Sequence, residues 1–235
     1  MPTERTSYGA GPGPITPDGC AVDVYAQLPP NGEPEIIHRA VPPGARILEL
    51  GCGTGRLSNP LAELGHRVVG VDESATMLAH LRGVEPVAAR IEDLRLNEQF
   101  DVVLLASHLI NTASDEQRRL FLRTCRRHLG PGGQLVAQWH PPEWFDSLRV
   151  GTSREGVLGP VVGCLDVLDM ADGLLTAETS YQIREDVWIQ RFTARRLTDR
   201  QLTEELSSAG LDQHQWLDDG RQWFTARRLP PVVGA

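Results

Sequence analysis

Residues 47–74 read ILELGCGTGRLSNPLAELGHRVVGVDES, and this stretch decides the fold. It opens on Ile47-Leu48-Glu49-Leu50, an apolar run too short for a helix and suited to a buried parallel strand. Three glycines follow at alternate positions, Gly51, Gly53 and Gly55. Such a cluster permits positive φ and lets backbone come close to a ligand. A helix is expected over residues 57–64, stopping at Gly65. The next strand covers residues 66–71 and ends at Asp72. That acid lies about 20 residues past the first glycine, the distance at which nucleotide folds place a carboxylate on a ribose diol. Strand, glycine turn, helix, strand and acid make half of a nucleoside-binding sheet.

The glycine spacing bears on which nucleoside. A dinucleotide loop reads G-x-G-x-x-G, its third glycine allowing close helix–strand packing beside the pyrophosphate. Counted from Gly51, the third position is Arg56; counted from Gly53 it is Ser58, a frame less easily excluded. The run Glu49-Leu50-Gly51-Cys52-Gly53-Thr54-Gly55 resembles motif I of the class I S-adenosylmethionine-dependent methyltransferases. The resemblance extends over residues 44–140. It implies an α/β fold with a doubly wound, mostly parallel seven-stranded sheet of Rossmann-like type, and S-adenosylmethionine as cofactor. It also implies cofactor contacts from Glu49, Gly51, Cys52, Gly53, Gly55, Asp72 and Glu73, and from Ser107 after the fourth strand. Where that family holds adenine with an aspartate, this chain has Arg90. The backbone of Ile91 and the side chain of Glu92 are the expected substitutes.

Composition narrows the rest. A net charge of −8 argues against a nucleic-acid partner. All 23 basic residues are arginine, which excludes a Schiff-base or P-loop lysine. No run approaches the ~20 apolar residues of a membrane span. The opening MPTERTSYGAGPG lacks the apolar core of a signal peptide, so a cytoplasmic protein without membrane partners is expected. Cys20, Cys52, Cys125 and Cys164 show no C-x-x-C spacing, which suits a reduced compartment and no zinc site.

Taken in order, residues 1–43 should form an N-terminal arm and lid helices, and residues 44–235 the main domain. Residues 1–15 read as a flexible arm. Thr16-Pro17-Asp18 reads as the start of a helix with Ala21, Val24, Tyr25 and Leu28 on one face. In the resembled family such a segment often closes over the cofactor, which makes Tyr25 a candidate lid residue; plain core is the alternative. Ser114-Asp115-Glu116-Gln117 reads as a capping box, opening a helix whose arginines 118, 119, 123, 126 and 127 form a solvated face. Residues 145–197 exceed what the minimal fold needs. Three strand-like runs (160–170, 174–183 and 187–197) should pair antiparallel and cover the acceptor, leaving a homodimer contact open. The last run is also expected to supply the main sheet's sixth strand.

Methyl transfer from a sulfonium is an in-line displacement, so alignment and exclusion of water dominate. A hydroxyl or protonated amine acceptor also needs a base. Ligands of open α/β sheets sit beyond the carboxyl ends of the strands at the switch in strand order, here between the first and fourth strands. His108 follows the fourth strand and His140 ends the fifth. Both are candidate catalytic bases, since imidazole titrates near neutrality; the alternative for each is a hydrogen-bonded structural histidine. Asp101 stands at the wrong end of its strand to join them, so no metal is expected. His140-Pro141-Pro142-Glu143-Trp144 differs from the N-P-P-[YFW] of adenine-modifying methyltransferases, because it starts with His and follows the fifth strand. The expected reaction is methyl transfer to an N, O or C nucleophile of a small-molecule acceptor. Left open are a cyclase or aminopropyl transferase on the same fold and a non-catalytic cofactor-binding protein. A nicotinamide dehydrogenase is disfavoured by the displaced third glycine.

Overall fold

The computed structural model describes residues 7–229. The chain opens with β1 (Tyr8–Ala10), α1 (Val22–Tyr25) and α2 (Glu33–Ala40). Strands and helices then alternate: β2 (Arg46–Leu50), α3 (Ser58–Glu63), β3 (Arg67–Asp72), α4 (Ala75–Leu78), β4 (Glu85–Ala88), β5 (Phe100–Leu105), α5 (Asp115–His128) and β6 (Leu129–Gln138). After α6 (Pro142–Asp146) come β7 (Ser153–Leu158), β8 (Val161–Ala171), β9 (Leu174–Ile183) and β10 (Asp186–Arg195). The described chain closes with α7 (Asp199–Ser208), β11 (Leu211–Trp216) and β12 (Trp223–Arg228).

The main sheet has seven strands in the order β11-β12-β6-β5-β2-β3-β4. Its first five strands in sequence run parallel, and the final hairpin is antiparallel. A parallel strand covered on both faces must be apolar at every position rather than at alternate ones. Over residues 47–50 and 102–105 β2 and β5 follow this, with the buried Glu49 the exception. Leu48, Leu50, Val103 and Leu105 enter the core beside α5 and α7, and Ile47, Val102 and Leu104 enter the core beside α2 and α3. The order reverses between β2 and β5, so their carboxyl ends open a crevice there.

A second sheet, β1-β10-β9-β8-β7, is antiparallel throughout. Alternation along β10 puts Trp188, Gln190, Phe192 and Ala194 on one face. At one end of that face Trp188 and Ile183 pack on Ala21, Val24, Tyr25 and Leu28 of α1 and its flanks. At the other end Leu175, Ala177 and Ala194 pack on Trp144, Phe145 and Leu148. The cross-strand row Gln190, Thr179 and Leu165 lies between these two clusters.

Several expectations are corrected. The run 187–197 belongs to the second sheet, and β11 and β12 are the main sheet's sixth and seventh strands. β7, absent from the sequence reading, pairs with β8 as an exposed edge. Thr16 caps no helix. Its Oγ1 accepts the Cys20 N–H at 2.8 Å, closing a turn in which Gly19 has φ 92°, outside helical geometry, so the helix begins only at Val22. Arg118 is buried rather than solvated, donating to the Thr112 carbonyl at 2.9 Å and facing Asp115 and Glu205.

Residues 1–6 of the expected flexible arm lie outside the described residues, whereas Tyr8–Ala10 form an ordered strand on β10. A Cβ built on Gly9 would stand 2.1 Å from the Gly19 carbonyl oxygen. Backbone cannot yield there without lifting β1 from β10. Gly9→Ala is therefore expected to cost about 1–3 kcal/mol in urea unfolding. A midpoint equal to wild type would show that β1 is not seated against this turn.

Candidate functional site

The glycine turn is held by its own hydrogen bonds. The Gly51 and Cys52 N–H groups both donate to the Val71 carbonyl, at 2.8 and 2.9 Å. The Gly53 N–H donates to Asp72 Oδ2 at 3.0 Å and the Gly55 N–H to the Cys52 carbonyl at 3.0 Å. Gly51, Gly53 and Gly55 have φ of 72°, 55° and 85°, so each alternate glycine occupies the left-handed region. The other oxygen of Asp72 takes the Ser74 N–H at 2.9 Å. Burial raises the Asp72 carboxyl above its ordinary value, against the lowering effect of these two N–H groups. Glu73, next in sequence, is exposed.

Glu49 stands beneath the turn and is 3% exposed. Its carboxyl is bonded to the Ser58 hydroxyl at the start of α3, so it braces the turn from below and does not line the crevice. Burial pushes it up to about 7, opposed by Ser58 and the Arg56 charge. The Cys52 thiol is likewise buried and pushed up.

The N-terminal segment is fastened to this turn. Thr54 Oγ1 donates to the Tyr25 carbonyl at 2.9 Å, and Arg56 pairs with Glu33 of α2 at 2.6 Å. Tyr25 itself contributes its backbone; its ring packs among Trp188 and Tyr181, and its hydroxyl donates to Gln190 at 3.2 Å. The side chain proposed for the lid is therefore committed to the second sheet. After β4, Ile91 begins a short 3-10 turn (Ile91–Asp93), and its carbonyl accepts from Thr124 at 3.0 Å. Glu92 accepts from Arg90 at 3.0 Å and from Gln117 at 3.4 Å. Burial raises the Glu92 carboxyl, but hydrogen bonds from its own N–H, Arg90 and Gln117 outweigh this and leave it lowered. Gln117 explains a partial failure of the expected capping box. Ser114 caps α5, but the Gln117 side chain turns to Glu92 and to Thr112 Oγ1 at 2.7 Å.

Both candidate histidines meet. After β5 the chain passes through Ser107 and His108 with φ of 53° and 57°, left-handed values that non-glycine residues adopt only when surroundings impose them. The Ser107 N–H is held by Gln138 Oε1 at 2.9 Å, and the His108 carbonyl accepts the Asn111 N–H at 2.8 Å. The His108 ring stacks on that of His140 at 3.5 Å between centroids, and His140 stacks in turn on Trp144 at 3.7 Å. Burial pushes His108 down to about 4, and burial with the His108 charge pushes His140 down to about 2. Both rings are thus neutral at neutral pH, and Nδ1 of each is buried without a hydrogen-bond partner.

Sequence reasoning missed Asn111. It is 2% exposed, accepts the His140 N–H at 2.8 Å, and donates to the carbonyls of His140 at 3.3 Å and Arg195 at 3.0 Å. The neighbouring Thr112 bridges Ala194 of β10. A polar residue between Ile110 and the turn before α5 was the only signal in the sequence, and it did not name its partners. Trp144 was noticed only as part of a motif comparison.

S-Adenosylmethionine fits this turn better than a dinucleotide. A pyrophosphate is held by free N–H groups of a glycine loop. Here those of Gly51, Cys52, Gly53 and Gly55 are consumed within the protein, and the nearby cation Arg56 is paired with Glu33. A Cβ built on Gly53 meets nothing within 4 Å, which leaves open space over the turn, while Asp72 supplies a carboxylate at the strand tip. That set suits an uncharged nucleoside. Among the described residues no three His, Cys, Asp or Glu side chains gather as a metal set.

The raised Glu49 carboxyl has a consequence for stability. Its folded value of about 7 exceeds the ordinary 4.5, so its contribution is fully present below pH 4.5 and is lost as pH rises through 7. Glu49→Gln should remove that loss. Relative to wild type, the variant should gain stability between pH 5 and 8, by on the order of 3 kcal/mol at most. Unfolding midpoints measured across this range check it; parallel pH curves for the two proteins would contradict the assignment.

Residues 47–133 match the family model of a methyltransferase domain. The cypemycin N-terminal methyltransferase of a Streptomyces species is 37% identical over 125 residues; the match covers 50% of each protein, so this chain spans about half the length of that relative. An uncharacterized methyltransferase of Mycobacterium tuberculosis is 32% identical over 191 residues, covering 77% of this chain and 73% of that one. The structure of the CcbJ methyltransferase from Streptomyces caelestis superposes with a TM-score of 0.74 at 25% identity, covering 89% of this chain and 96% of its own. The chain belongs to the class I S-adenosylmethionine-dependent methyltransferases.

Proposed function

We propose that the protein transfers a methyl group from S-adenosylmethionine to a nitrogen, oxygen or carbon nucleophile of a small-molecule acceptor. The observation that carries this reading is the pair of stacked neutral histidines at the ends of adjacent strands, each with a buried Nδ1 lacking a partner. Buried polar atoms without partners are rare in folded proteins and call for an explanation. An acceptor N–H or O–H meeting one of them provides it.

The cofactor supplies an electrophilic methyl group on a sulfonium. The protein's residues hold and orient the partners. The loop at Gly51, Cys52, Gly53 and Gly55 and the carboxylate of Asp72 hold the amino-acid and ribose parts, with Glu73 beside them. The turn at Ile91 and Glu92 holds adenine. Ser107 fixes the turn that carries His108. His140, stiffened by Pro141 and Pro142, positions the acceptor or takes its proton. The acceptor lies beneath the second sheet, between the lid cluster and the α6 cluster. The facing row Gln190, Thr179 and Leu165 has no ionised side chain, which favours a neutral acceptor over a carboxylate or phosphate ester. Four unpaired cysteines fit a cytoplasmic setting, and no described helix is long and apolar enough to cross a membrane.

Incubating the purified protein with methyl-labelled S-adenosylmethionine and a metabolite extract should yield a labelled, methylated product by mass spectrometry. Consumption of cofactor without a methylated product would overturn the reading. Asp72→Ala should weaken S-adenosylhomocysteine in calorimetry by about tenfold to 100-fold, the loss of a charged hydrogen-bond acceptor. An indifferent Asp72→Ala would remove Asp72 from the site. With the acceptor in hand, His140→Asn should lower turnover by about 10²–10⁴ while cofactor affinity holds. Because burial depresses both imidazoles, the wild-type rate should persist below pH 6 and fall only at about 4, where protonation of His108 charges the ring stacked on His140. An inflection near 6.5 would show that neither ring is the group that matters.

A further inference from the structure

We propose that Asn111 is the positioning residue of the acceptor site, one side-chain amide that fixes His140 and the second sheet against each other. The proposal rests on the reading of His140 as the acceptor-facing group. Asn111 lies in the turn after β5, outside the glycine loop and the histidine stack. Its Oδ1 and Nδ2 take both backbone polar groups of His140, at 2.8 and 3.3 Å, so they fix the peptide units flanking that residue. The same Nδ2 donates to the Arg195 carbonyl at the end of β10, at 3.0 Å. An amide has two donors and an acceptor with two lone pairs. Here three contacts from one side chain join the turn after β5, the end of β6 and the end of β10.

Among the described residues no other hydrogen bond holds the His140 backbone, and the Pro141 that follows has no N–H to offer. The His140 ring is fixed only by stacking on His108 and Trp144, with Phe145 edge-on. Stacking alone leaves the ring free to slide in its plane, so its register depends on the backbone clamp. The Thr112–Ala194 bridge sits one residue further on in the same turn and aligns β10 with the clamp. Removing the amide should therefore free the His140 ring and the β10 end together.

The test follows the His108 and His140 rings by long-range proton–nitrogen NMR across pH 3 to 8, with S-adenosylhomocysteine affinity measured by calorimetry. In wild type both rings should stay neutral through pH 5. In Asn111→Ala, His140 should titrate at least about one pH unit higher, toward the ordinary imidazole range, as the ring reaches water. Amides 194 and 195 should exchange faster, and cofactor affinity should be unchanged. Gln134→Ala, which removes a bond from the middle of β6 to the Ala40 carbonyl, controls for general loosening and should leave the His140 titration in place. A folded Asn111→Ala with the wild-type His140 titration overturns the proposal, as does an equal shift in Gln134→Ala. Should Asn111→Ala fail to fold, the isosteric Asn111→Asp carries the test. It keeps the acceptor and loses both donated bonds, and an unmoved His140 there is equally decisive. None of these readouts uses turnover, so a failed acceptor assignment for His140 remains distinguishable from a failed clamp.

Discussion

The hydrogen bonds that close residues 51–55 on themselves and on the tip of β3 constrain everything else at the strand ends. With the Gly51 and Cys52 N–H groups on Val71 and that of Gly53 on Asp72, β2 and β3 are locked in relative height just where a ligand must sit. A loop satisfied internally presents shape and one carboxylate rather than an array of donors. That is a poor cradle for phosphate and a sound one for a nucleoside joined to an amino acid. Glu49 beneath the loop is the cost of the arrangement. A buried carboxyl bonded to Ser58 ties the turn to α3 while remaining partly protonated near neutrality.

The same logic of satisfied polar groups shapes the other side of the crevice. Desolvation keeps two histidines neutral, and a neutral imidazole retains a lone pair when its surroundings are dry. Left-handed backbone at Ser107 and His108 brings the first ring against the second, and the Gln138 amide holds that strained turn. Strain of this kind persists only where neighbours over-determine it.

Much of this was legible in the residues. Glu49, the three glycines and Asp72 specified strand, turn and acid because their spacing is local and each serves one short-range purpose. What escaped depended on partners far away in sequence. Gln117 left its box for Glu92 and Thr112, and Arg118 was drawn inward by the Thr112 carbonyl. Tyr25 turned toward Gln190 instead of the cofactor turn, and Asn111 found His140 and Arg195. Periodicity and propensity carry no information on such pairings. The added strands were legible as strands but not as a separate sheet, because nothing local says which edge a strand joins.

The pairing of β1 with β10 carries a kinetic consequence. Tyr8 meets Arg191, so β1 has no partner until synthesis has passed β10. The main parallel strands form contacts over much shorter separations and are complete from β2 to β6 before β10 exists. Contacts between such distant segments are slow to close, and domains assemble as their segments emerge. The crevice should therefore be built first and roofed last. A nascent or partly unfolded chain would leave that crevice open, with α1 not yet seated on the second sheet.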